Sequence, residues 1–278
     1  MTLDPAAIAH WRSWIGRTET RTETIDLESL RRYAAALGES LDVETIQPSL
    51  AHWACFLPVV GPDRIGPDGH PKRGGFLPPV TLPRRMFAAS DMSFHAPLLP
   101  GQEATRTSRI AEVARKAGRS GDLLLVEIEQ EIEQVGQIRV RERQTIVYRD
   151  AGAPIPAIIP IDQGEVPGAV PWLPGTIDLF RFSAVTFNSH RIHYDTPYAT
   201  GEEGYPGLVV HGPFTAARLF GLGARQGGAI GRFGFRALAP LFVDQPVTLV
   251  RGEEENVSAI RCDGVTAMAA SFTCQNRP

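Results

Sequence analysis

Cysteine is scarce: the 278 residues hold three, Cys55, Cys262 and Cys274, and no CxxC pair. This excludes a disulfide framework and a thiolate metal cluster, and reads as apolar thiols in a reducing compartment. No apolar run approaches the roughly 18–20 residues of a membrane-crossing helix. The N-terminus has an acid at Asp4 and no basic start leading into an apolar run, so it does not read as a secretory signal. Charge of either sign is nearly cancelled, with 28 basic and 31 acidic residues and a net charge of −3. Neither nucleic acid nor an anionic membrane is therefore expected as the main partner. What is present is ordinary for a globular chain: 43% hydrophobic residues, with 27 glycines and 23 prolines that announce many turns. The expectation is a soluble, cytoplasmic protein of one large domain or two of about 140 residues.

Along the chain, residues 1–23 are polar around Trp11 and Trp14 and read as an arm or a short leading helix. In residues 24–40 and just beyond, Leu27, Leu30, Ala34, Leu37 and Leu41 recur at helical spacing, and Gly38 stands where a helix closes. Residues 61–83 are rich in Pro and Gly, a long loop that either overhangs a site or is a variable connection. Residues 123–149 alternate. Leu124, Val126, Ile128 and Ile132 face one way, and Glu127, Glu129, Glu131 and Glu133 the other, with Arg139, Arg141 and Arg143 following after a turn at Gly136. This predicts an antiparallel hairpin with one wet face and cross-strand charge pairs.

Residues 150–175 are proline-rich and aperiodic, which divides the chain into 1–150, a linker at 151–175, and 176–278. The last part repeats the plan of the first: a Gly-flanked helical stretch at 212–225, then β-like runs. In the final run Val265, Ala267, Ala269 and Ser271 alternate, small residues that suggest a strand close against a helix. The string TIDL occurs at 24–27 and again at 176–179. If that marks a duplication, the first copy is apolar where the second is polar, and the chemistry belongs to the second.

Polar and titratable groups crowd into residues 183–214: Asn188, Ser189, His190, Arg191, His193, Tyr194, Asp195, Tyr198 and His211, between apolar flanks. Several physical readings apply. His193 can act as a general acid or base near neutral pH, with Asn188 holding a water or a carbonyl. Asn188 and His193 would point about 140° apart on a straight helix, so the chain must turn between them, with Asn188 just before a helix start. His190 and His193, with Asp195 or His211, could face a cation, although HxxH lacks the spacing of a strong metal motif. His211-Gly212-Pro213 opens a helix whose free N–H groups would attract charge developing on an oxygen. The remaining reading is a polar helix end whose histidines are satisfied internally. Any single histidine fits that last reading, but the combination favours a reaction site.

These residues resemble the MaoC-like, hydratase-2 type family, whose pattern is approximately S-G-D-x-N-P-L-H-x-D-P. Here the string runs TFNSHRIHYDTP, residues 186–197. FNSHRIHYD followed by YPGLVVHGP is similar to a narrower branch, the mesaconyl-C4-CoA hydratases and the mitochondrial-type 3-hydroxyacyl-thioester dehydratases. The resemblance implies an α+β double hot-dog, antiparallel sheets wrapped around central helices, with a degenerate first half and a catalytic second half. It implies a hydro-lyase that reversibly hydrates a 2-enoyl-CoA, most directly mesaconyl-C4-CoA to citramalyl-CoA. Lipid 3-hydroxyacyl-thioester dehydration and itaconyl-CoA hydration are the alternatives, and a non-catalytic acyl-thioester binding subunit is the alternative of another class. His193 falls on the family's catalytic His and Asn188 on its catalytic Asp. Asp195 falls on the later Asp, placed to tune or orient His193, and Gly212 on the oxyanion donor. Arg191, Tyr194, His211 and Arg232 are expected around the substrate. Lys72, Arg73, Arg84 and Arg85 are the cations available to coenzyme A phosphates. No metal and no cofactor is called for, the partner is an acyl-CoA, and a homodimer is expected by analogy.

Overall fold

The computed structural model describes residues 3–118, 121–164 and 166–275. A short helix α1 (Pro5–Arg12) leads into an edge strand β1 (Thr18–Thr24). Strand β1 was not legible as one: TETRTET offers no apolar alternation, and its place is set by the hydrogen-bond ladder to β3 (Glu103–Gly118). Helix α2 (Leu27–Leu37) forms where the spacing of Leu27, Leu30, Ala34 and Leu37 predicts, but Leu41 lies beyond its Gly38 cap and is exposed. The Asp26 carboxylate accepts from the Ser29 amide at 2.8 Å, and Gly38 closes the helix at φ +68°. Leu30, Tyr33, Ala34 and Leu37 are its buried stripe.

After a 3-10 turn at Ala51–Ala54 and a long loop come β2 (Arg84–Phe94) and β3, then the expected hairpin, β4 (Gly121–Gln134) and β5 (Gln137–Arg149). The outer face of the hairpin carries predicted charge pairs, Arg141–Glu131 at 2.7 Å and Arg143–Glu127 at 3.5 Å, while Arg139 is buried instead. The proline-rich stretch is irregular until Val170–Trp172, which joins the sheet as β6. Helix α3 (Thr176–Val185) and helix α4 (Gly212–Gly227) follow, then β7 (Ile230–Ala237), β8 (Val247–Arg251), β9 (Asn256–Arg261) and β10 (Thr266–Cys274).

All ten strands form one antiparallel sheet in the order β1-β3-β4-β5-β2-β7-β10-β9-β8-β6. Read outward from the β2–β7 junction, the order is a palindrome: β1 matches β6, β3 matches β8, β4 matches β9 and β5 matches β10. The two TIDL strings lie at the starts of α2 and α3, which occupy matching places and pack on each other. The halves differ at the next step. The second lays the 16-residue α4 across its strands, and the first has only the four-residue turn at Ala51–Ala54.

Small residues on α4 bring the sheet close, and an added side chain at Gly223 would meet the Phe272 ring at 3.0 Å. In β10 the inward row is Met268, Ala270 and Phe272, while Ala269 and Ser271 are exposed. The expected alternation is thus offset by a bulge between Thr266 and Met268 that moves the register by one.

Candidate active site

The segment from Asn188 to His193 does not continue α3. Phe187 takes a left-handed φ of +48°, and the Asn188 amide returns to the Ser183 carbonyl at 2.8 Å. The Asn188 Oδ1 then accepts from the His190 amide at 3.0 Å, a local turn that leads into the 3-10 turn Arg191–His193. The expected helix start is therefore a shorter turn two residues later. It supplies the change of direction that lets Asn188 and His193 border one space.

That space is a cavity of about 810 Å³, mostly apolar, lined by Asn188, His190, His193 and Gly212. It extends under the first half of the sheet past His52 and Trp53 to Gln130. His193 is buried, and its Nδ1–H donates to the Val209 carbonyl at 2.7 Å. A carbonyl only accepts, so the proton is on Nδ1 and Nε2 keeps its lone pair. Burial pushes the His193 pKa down to about 3, helped by neighbouring His190 and opposed by the bond to Val209. Burial likewise lowers His190 to about 3, and holds His70 and His211 well below the ordinary value. Four histidines are thus neutral at pH 7.

Gly212 is the first residue of α4, with Pro213 behind it. It lies against β2, where an added side chain would begin 3.7 Å from the Phe87 carbonyl. His211 caps the helix by backbone conformation alone. Its ring stacks on His193 at 3.6 Å between centroids, and its Nε2 is 2.8 Å from the Ser183 Oγ. It lies behind His193 rather than on the cavity wall.

The other expected site residues lie elsewhere. The Asp195 carboxylate faces Arg191 at 2.8 Å and caps the Tyr198 amide at 3.1 Å, so both its oxygens are engaged, and His193 Nδ1 is bonded to Val209 instead. The Arg191 guanidinium is held by Asp195, by the Pro67 carbonyl at 3.1 Å and over the Tyr198 ring at 4.2 Å. Its position in the string places it next to the site, but folding commits its donors to the protein. Tyr194 is 51% exposed and donates to the Ser189 carbonyl. Arg232 is exposed on the outer face of β7, where Phe233 and Phe235 take the inward places. Of the four basic residues offered to coenzyme A phosphates, Lys72 donates to the Asp63 carbonyl, Arg73 to the Val80, Leu82 and Pro83 carbonyls, and Arg84 pairs with Glu203 at 3.1 Å. Arg85 alone lines the cavity. No group of three or more His, Cys, Asp or Glu side chains is arranged to hold a metal ion among the described residues.

Three contributors were not legible as site residues. Ser183 orders His211 from 28 positions away. The His70 ring packs against His190, tilted by 36° with centroids 4.2 Å apart. Gly69, at φ +88°, lets the 61–83 loop lie directly on the site: the Ser189 hydroxyl donates to its carbonyl, and the Arg191 amide donates to the Asp68 carbonyl at 2.9 Å. The loop overhangs the site, and its Pro/Gly content was the one signal for it.

The hydroxyacyl-thioester dehydratase type 2 family model matches residues 50–243. The chain is 44% identical over 272 residues to the mesaconyl-C4-CoA hydratase of Chloroflexus aurantiacus, covering 95% of this chain and 97% of that protein. A MaoC-like dehydratase from Phytophthora capsici has the same fold at a TM-score of 0.68 and 14% identity, covering 96% of this chain and 98% of that one. A Mycobacterium tuberculosis protein described as a double hot-dog aligns at a TM-score of 0.56 and 11% identity, over 93% of this chain and 95% of that one. The palindromic sheet is therefore the double hot-dog, and no helix of it is long and apolar enough to cross a membrane among the described residues. With the family model matching most of its length and a 44% identical relative spanning nearly all of it, the chain belongs to the hydroxyacyl-thioester dehydratase type 2 family of hydro-lyases.

Proposed function

We propose that the protein hydrates mesaconyl-C4-CoA to citramalyl-CoA, reversibly, with His193 as the proton carrier. The observation that carries the chemistry is the neutral His193, tied at Nδ1 to Val209, in one cavity wall with Gly212 at the head of α4. The substrate follows the relative at 44% identity.

In this reading the thioester oxygen lies on the Gly212 N–H. The helix terminus supplies unpaired donors and a favourable dipole there as the enolate forms. Oδ1 of Asn188 is occupied by the His190 amide, which leaves Nδ2 to donate to the oxygen of the attacking water. That water adds its oxygen to the β-carbon and gives one proton to His193 Nε2. The resulting imidazolium returns the proton to the α-carbon on the same face, so one water is consumed and His193 ends neutral. An amide at 188 cannot take a proton, so His193 is the base alone. His211 and Ser183 hold its ring, and the 61–83 loop covers the site.

Absorbance of the conjugated enoyl thioester on mixing with mesaconyl-C4-CoA, and in parallel with crotonyl-CoA, tests this. Loss with mesaconyl-C4-CoA at a much higher kcat/KM is expected. Turnover of crotonyl-CoA alone would move the substrate to a neutral enoyl-CoA, and tight binding with no turnover of either would support the binding-subunit reading.

A further inference from the structure

In mesaconyl-C4-CoA the free carboxylate is attached to the β-carbon, the carbon that takes the hydroxyl. Its receptor must therefore lie within a few ångströms of the atoms served by His193. A carboxylate entering a mostly apolar cavity needs a cation there, and Arg meets it best through two parallel N–H donors.

Three arginines line the cavity: Arg85, Arg106 and Arg149. Their places on the sheet separate them. Arg106 is on β3, three strands from β2, about 14 Å across the sheet at ~4.8 Å per strand. Its guanidinium lies over the Phe56 ring at 5.2 Å. Arg149 ends β5, opposite Arg84, and borders Gly152.

Arg85 precedes Phe87 by two residues on β2, facing Tyr148 and Ile146 respectively on β5. Successive residues alternate, so Arg85 and Phe87 share the cavity face, and the Phe87 carbonyl is the one beside Gly212. Two residues of strand span about 7 Å, a distance an arginine side chain covers. Arg84, next in the chain, is buried against Glu203 instead. Arg85 makes no ion pair with a carboxylate among the described residues; it lies beside the Tyr148 hydroxyl, and its charge adds to burial in keeping His190 and His70 neutral.

We propose that Arg85 receives the free carboxylate of a dicarboxylic acyl-CoA at the reacting carbon and so determines the preference for that acyl group. This rests on the substrate reading above. It moves Arg85 from the coenzyme A phosphates, shared by every acyl-CoA, to the one group that distinguishes this substrate.

The test uses two substrates in each preparation: mesaconyl-C4-CoA and 3-methylcrotonyl-CoA, in which a methyl replaces the carboxylate. The ratio of their kcat/KM values does not depend on how much of a preparation is folded. Arg85→Gln should lower kcat/KM for mesaconyl-C4-CoA by roughly 10²–10³-fold, as loss of one partner from a buried charge pair does, and change 3-methylcrotonyl-CoA by less than about threefold. Arg85→Lys should recover part of the ratio, because charge returns without the fork. Equal losses on both substrates, or an unchanged ratio, would overturn the proposal and assign Arg85 to phosphates or to structure. Wild-type enzyme inactive on mesaconyl-C4-CoA but active on 3-methylcrotonyl-CoA or crotonyl-CoA would overturn the substrate reading itself, and the proposal with it.

Discussion

The two halves of the sheet share one strand plan and differ in what lies on it. Under the second, α4 buries Phe214, Ala216, Ala217 and Leu219, and offers its N-terminus beside His193. Under the first, the matching place holds the short Ala51–Ala54 turn, and the cavity occupies the remaining volume. Each half carries a buried histidine at this point. His211 backs His193 in the second, whereas His52 in the first is bonded to Glu142 at 3.2 Å. Keeping the helix in one half presents its N-terminus beside His193, where the proposed mechanism uses it for the oxyanion, and its absence from the other leaves room for a ligand. Neither half alone would have both.

The largest way to sharpen this contrast is His193→Ala, which removes the only base the proposed mechanism has. A loss of kcat of about 10³–10⁴-fold is expected, near the upper range for a general base. His190→Ala should cost far less, and equal losses in the two variants would remove the distinction between the two histidines. Next is Gly69→Ala, which joins the halves through the overhanging loop. A Cβ there would meet the Ser189 carbonyl oxygen at 1.8 Å, at a φ that side chains rarely adopt. The loop must lift, and kcat/KM should fall by roughly 10²-fold, as for a misplaced positioning element. Normal kinetics would show that the loop is not part of the site.

The histidines also set a pH dependence. His190 and His193 have folded pKa values of about 3, below the unfolded value of about 6.5. The unfolded chain therefore binds more protons between these values. Their contribution to stability is complete above about pH 6.5 and is lost as pH falls toward 3, by roughly 1 kcal/mol per pH unit for each proton. Thermal unfolding temperature should drop steadily below pH 6.5, while kcat/KM stays level from pH 8 to 5 wherever the protein remains folded. A kinetic pKa near 6.5 would contradict the buried neutral base. The smallest effect is expected from Asp195→Asn. Its partly exposed pair with Arg191 is worth about 0–1 kcal/mol, so kcat should change little and the pH profile should not move. A shifted profile would tie Asp195 to His193 after all.

Local chemistry made much of this legible. Gly38 marks the end of α2, alternation reveals β4 and β5, and Gly212-Pro213 starts α4. The string around His193 also located the turn that borders the cavity. Strand β1 was hidden because an edge strand with no buried side chains has no hydrophobic period. On the inner face the apolar alternation breaks at Gln130, which lines the cavity, and at its cross-strand partner Glu142, which is buried against His52.

By itself, then, the amino-acid order determined what depends on neighbours in the chain: caps, alternation, helix starts, and a His in a segment that turns. Only the tertiary structure decided which arginines are paired with carboxylates. Arg191 and Arg84 are spent on Asp195 and Glu203 while Arg85 faces the cavity. Likewise, Ser183 and His70 reach the site only because α3 and a loop from the other half close over it. Such choices depend on desolvation and on contacts between residues far apart in sequence, which no local pattern records.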